Sequence, residues 1–160
     1  MGWANCSALP LIYKLEDKMS GRKKDIPVKN VTVEIHNEIY LIDMVWIVGD
    51  YDYYQKVAKR KYKVKMNTTQ KSFGGECLLV NEENGSDPFI VVWLPEISFT
   101  TNNYDSIVHE LSHAAFHILN IVGIKIGSKN QEPFAYLLGW LVRVTLDRFH
   151  NLYRKLNRIA

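Results

Sequence analysis

The chain has 160 residues, a hydrophobic fraction of 47% and a net charge of +3, with a pI near 8.8. That is enough apolar material for one domain with its own core, and it excludes a largely disordered chain. The positive balance is too small by itself to mark a nucleic-acid binder.

In chain order, Met1 to Leu15 lacks a basic stretch followed by an apolar one, so no secretory signal is expected. Leu11, Ile12 and Leu15 can share a short helix face, and Met19 to Lys24 reads as a polar, basic turn. Val31, Val33 and Ile35 alternate with polar residues, which is strand spacing. Glu38 to Val48 is rich in Ile, Tyr, Val and Trp and predicts one long or two short strands. Its apolar run from Ile39 to Val48 carries Asp43 and is too short to cross a bilayer, so no membrane partner is expected.

Asp50 is placed to cap a helix running to about Lys61, with Val57 and Ala58 on its inner side. Lys56, Lys59, Arg60, Lys61, Lys63 and Lys65 follow with no acid between them. The run reads as a solvated face, and the expected partners leave nucleic acid out. The rival reading is an electrostatic patch for nucleic acid or an acidic protein. Tyr62, Val64 and Met66 then alternate and predict a strand.

Glu76 to Val80 and Phe89 to Leu94 are apolar runs around the loop Asn81 to Pro88, which holds an Asn-Gly turn signal. They predict a hairpin that Pro95 stops. Asn102 to Asp105 offers N-caps for a helix that runs to about Ile121 and ends at Gly123. A short loop, Lys125 to Lys129, leads to a last helix beginning near Gln131, where Pro133 is tolerated in the first turn. From Phe134 to Val142 that helix is apolar on nearly every side, which predicts burial all round; from Arg143 it is amphipathic. Two cysteines, Cys6 and Cys77, without a C-x-x-C, suit a reduced, cytoplasmic protein.

The first of these two long helices carries chemistry. His109, Glu110 and His113 form H-E-x-x-H. On a helix the two imidazoles, four residues apart, project from one face and can reach one metal ion, Zn²⁺ by preference. Glu110 can lie beside the open coordination position and act as general base on a water there. The bland alternative is two structural histidines on an amphipathic helix, although Val108, Leu111, Ala114 and Ala115 suit a buried helix better. A catalytic zinc needs a third protein ligand. After His113 the carboxylates are Glu132 and Asp147, and the remaining histidines are His117 and His150. Glu132 follows after 18 residues and sits by the turn, whereas Asp147 is about 22 Å further along the helix. His117 is rotated about 80° from His109 and reads as a core or supporting histidine, or as a partner of Glu132 or of substrate.

H-E-x-x-H followed after 18 residues by Glu resembles the gluzincin metallopeptidases. Asn130 to Ala135 is similar to their N-E-x-F-A glutamate helix. The His-Glu-Leu-Ser-His-Ala-Ala core, the downstream Glu-x-x-Ala-Tyr and the upstream Val-Trp-Leu-Pro resemble small zincin-like proteins carried by phages and prophages. The resemblance covers about residues 89 to 140. His117 extends it toward the repressor-cleaving ImmA/IrrE-type metallopeptidases.

The resemblance implies an α+β zincin-like domain over 1–160: a mainly antiparallel twisted sheet, then the H-E-x-x-H helix, then the glutamate helix. His109, His113 and Glu132 would hold Zn²⁺, and Glu110 would be the base. Tyr136, four residues after Glu132 on the same face, would donate to the oxyanion. Zincins place the strand before the metal helix at the sheet edge, so Phe89 to Leu94 is expected to bind an extended peptide or protein substrate. The rivals are a regulatory protease that cleaves one protein and a non-catalytic, metal-stabilised basic module that binds nucleic acid. The residues carry no reading of oligomeric state.

Overall fold

The computed structural model describes residues 28–64, 74–81, 87–99 and 104–159. The expected features at Leu11 to Leu15, Met19 to Lys24, Lys65, Met66, Asn102 and most of the loop between the hairpin strands lie outside them. The elements are β1 (Val31–Ile35), β2 (Met44–Val48), α1 (Tyr51–Lys61), β3 (Glu76–Val80), β4 (Phe89–Leu94), α2 (Tyr104–Ile121) and α3 (Glu132–Ile159). The class is α+β, as expected. The sheet is mixed, in the order β1-β2-β4-β3. β1 with β2 and β3 with β4 pair antiparallel, while β2 and β4 pair parallel, Val45 opposite Val91.

β2 and β4 are apolar at every position because both faces are covered. Met44, Trp46, Val48, Ile90, Val92 and Leu94 face α2 and α3. Val45, Ile47, Val91 and Trp93 face α1. The sheet is thus sandwiched between one helix and two. Trp46 meets Phe149 of α3 edge-on at 5.4 Å, and Trp93 stacks on Tyr54 of α1 at 5.2 Å. The Tyr54 hydroxyl donates to Glu76 Oε2 at 2.7 Å, which ties α1 to the start of β3.

Four expectations change. The expected strand from Glu38 is a turn, and only Met44–Val48 is extended. The Asn37 side chain accepts from the backbone N–H groups of Ile39 (3.0 Å) and Tyr40 (3.3 Å), so they are held locally and not in a ladder. Second, no strand forms at Tyr62 and Val64: both N–H groups donate to the Ala58 carbonyl as the chain turns back at Lys63 (φ 55°). Third, Phe89–Leu94 is not an edge strand. It is paired on both sides, so its N–H and C=O groups are spent on β2 and β3 and cannot take an added peptide strand. Fourth, the first half of α3 is buried along one stripe only. Leu137, Leu141, Thr145 and Phe149, four residues apart, are inside, while Ala135, Tyr136 and Gly139 face out.

The caps behave as expected. Asp50 Oδ1 accepts from the Tyr53 N–H at 2.8 Å. α2 ends where Gly123 takes φ +76° and the Gly123 and Ile124 N–H groups donate to Asn120 and Leu119.

Candidate metal centre

α2 buries Ile107, Leu111, Ala114, Ala115, Ile118 and Leu119 against the sheet. The helical period therefore turns His109 and His113 outward and leaves Glu110 on the flank of the buried stripe. The two histidines converge: His109 Nε2 and His113 Nε2 are 3.2 Å apart, their rings crossed at 77°. Zn–N bonds of about 2.0–2.1 Å in tetrahedral geometry put two nitrogens about 3.3 Å apart. The pair therefore fits as two ligands of one zinc ion. The same spacing also accommodates one ring N–H donating to the other nitrogen.

Glu110 is 6% exposed. It lies under the backbone just before β3, so close that a Cβ on Gly75 would meet Glu110 Oε1 at 2.7 Å. Burial pushes its carboxyl above the usual range; His109 and His113 pull the other way, and Glu76 adds to the rise. Burial also raises the nearby Cys77 thiol, helped by the charges of Glu110 and Glu76, so Cys77 stays a protonated packing residue. His117 is half-buried, and burial, with His113 beside it, lowers its pKa.

Gly74, Gly75, Asp105, Ser106, His109 and Glu110 line one open cleft of about 430 Å³. Asp105 and Gly75 were not among the expected site residues. Asp105 stands one turn before His109, and the Gly74-Gly75 pair directly precedes β3; both signals are visible in the sequence but carry no chemistry of their own. A larger cleft of about 730 Å³ is lined by Glu34, His36, Asp43, Lys61, Tyr62 and Arg148 among others. Several of its charges are already satisfied. Glu34 accepts from Tyr62 (2.7 Å) and Lys61 (2.9 Å), and His36 contacts Asp43.

Glu132 opens α3 and is exposed. A tilted contact between the rings of Phe116 and Phe134, with centres 4.6 Å apart, joins the first turn of α3 to α2 one turn beyond His113. Among the described residues no three His, Cys, Asp or Glu side chains gather in a group that could hold a metal ion. Tyr136 is 75% exposed, also on the outer side of α3. The structure thus brings His109 and His113 together with Glu110 on the flank of the same helix, while Glu132 and Tyr136 stand exposed on the first turns of α3. None of the helices among the described residues is long and apolar enough to cross a membrane. Compared with protein-family models, curated proteins and solved structures, the chain matches none of them.

Proposed function

We propose that this protein is a zinc-dependent metallopeptidase of zincin type, acting on peptide or protein substrates in the cytoplasm. The observation that carries this reading is the 3.2 Å approach of His109 Nε2 to His113 Nε2, with the buried Glu110 lining the same cleft as His109. His109, His113 and Glu132 would hold the ion, which when bound would acidify a water and polarise the scissile carbonyl. Glu110 takes the proton of the attacking water, holds it and passes it to the leaving amine. Tyr136 remains the proposed oxyanion donor, as an exposed side chain that a bound substrate would draw in.

The docking edge moves from β4 to β3. β3 pairs only with β4, and among the described residues its other side carries no strand. It starts one residue after Gly75, which covers Glu110. An extended peptide added to that edge would run beside the cleft. The test is hydrolysis of a mixed library of unstructured peptides by zinc-loaded protein, with Glu110→Gln as control. Cleavage that Glu110→Gln abolishes supports the proposal. Turnover of one folded protein only, with the library untouched, would point to a regulatory protease, and no cleavage of either would remove the peptidase reading.

A further inference from the structure

Six of the 20 Lys and Arg residues lie between Lys56 and Lys65, with no Asp or Glu among them. The other 14 stand against 17 Asp and Glu, so the chain outside this stretch is net acidic, at −3. The structure gathers the excess on one surface. Lys56, Lys59, Arg60 and Lys63 are exposed and line one open cleft of about 590 Å³ with Asp52 and Gln55. Their spacing is i, i+3, i+4, i+7, a single stripe about 10 Å long on the outer face of α1 and its exit.

Local stability does not explain the stripe. Cations in the last turn complement the helix dipole, which accounts in part for Lys59, Arg60 and Lys61. Lys61 also pairs with Glu34 at 2.9 Å. Lys56, however, is mid-helix, and Lys56 with Arg60 sets like charges four residues apart, a small cost. Among the described residues Lys56, Lys59 and Arg60 form no ion pair. Lys63 turns its ammonium onto the Arg60 carbonyl at 3.0 Å, keeping its charge beside the others.

The surroundings of the stripe select the partner. α1 shows no exposed large hydrophobic residue, which argues against insertion at a lipid surface. It offers no exposed aromatic ring on which unpaired bases would stack. What it does offer is a short row of four cations along an open cleft that holds a single acid, Asp52, a balance that suits phosphates. We infer that the outer face of α1, through Lys56, Lys59, Arg60 and Lys63, binds the phosphate backbone of duplex nucleic acid without reading its sequence. This face lies across the sheet from α2, so the inference stands apart from the metallopeptidase reading.

The test is fluorescence anisotropy of a labelled random-sequence duplex of about 20 base pairs with the full chain. Four phosphate contacts predict that affinity falls about 100-fold between about 50 and 200 mM salt. The triple variant Lys56→Gln, Lys59→Gln, Arg60→Gln should fall only about four-fold over the same range, having one contact left. Arg154→Gln with Lys155→Gln, on α3, should bind as the parent does. A single Lys56→Gln should flatten the slope by about 0.9. The inference is overturned if the parent does not bind at the lower salt, or if the triple variant keeps the parent's salt dependence. It is equally overturned if polyglutamate or anionic lipid vesicles of matched charge compete as well as unlabelled duplex.

Discussion

Gly75 lies against Glu110 so closely that a Cβ there would stand 2.7 Å from Glu110 Oε1 and 2.8 Å from Leu94 Cδ2. Neither neighbour gives way easily, since Glu110 and Leu94 are both buried. The backbone before β3 therefore lies over the carboxylate, and any side chain at position 75 would have to push the ends of Glu110 and Leu94 aside.

Gly75→Ala should displace Glu110 while leaving the histidines alone. The expected outcome is a loss of about 1–3 kcal/mol in stability from overpacking, together with slower hydrolysis at unchanged zinc content. Urea unfolding and metal analysis on the same sample check it. Parent-like stability and turnover would show that the approach is not restrictive.

Glu110→Gln keeps the shape of the side chain and removes its proton-accepting charge. It should retain zinc and fold and lower hydrolysis by about 10²–10⁴-fold. Zinc loss in this variant would make Glu110 a ligand instead of a base.

Proline scanning separates the two strands. Every N–H of β4 points at a paired neighbour, so proline at Val91 or Val92 should unfold the protein. In β3 only alternate N–H groups face β4. Of Leu78→Pro and Leu79→Pro, one should unfold and the other should stay folded with a raised KM. A folded variant with the parent's KM would rule out β3 as the docking edge.

Several features of this arrangement were legible beforehand, and the exceptions have physical causes. The six-residue run Phe89–Leu94 contains no polar residue, the signature of a strand covered on both faces, and so already spoke against an edge; the expectation came from family likeness instead. The histidine pair was legible because four residues on a helix fix its geometry locally. The place of Glu132 depends in addition on how α3 is set on α2, which no local pattern fixes. The Gly75–Glu110 approach joins residues far apart in sequence, and no local pattern announces it. The first half of α3 misled because Ala135 and Gly139 count as apolar yet bury little, and Tyr136 has a polar end that tolerates water.

Thr145 on α3 is fully buried with its hydroxyl unpartnered, four residues from Phe149. Thr145→Val should be neutral or stabilise by about 1 kcal/mol, because an unsatisfied buried hydroxyl is replaced by a methyl of similar size. Phe149→Ala, by contrast, removes the ring packed on Trp46 and should cost about 3–5 kcal/mol. Denaturant midpoints compare the pair directly. A loss of more than about 1 kcal/mol in Thr145→Val would mean that the hydroxyl has a partner in solution.

The central claim is that His109, His113 and Glu132 hold one zinc ion. Metal analysis of the purified chain, loaded with zinc and then dialysed, tests it most directly. The account predicts one zinc per chain for the parent and for Glu110→Gln, and loss of most of it in His113→Ala and in Glu132→Ala. A parent protein that retains no zinc would contradict the account outright. Full occupancy in Glu132→Ala would contradict the choice of third ligand and turn the search to His117, Asp147 and His150.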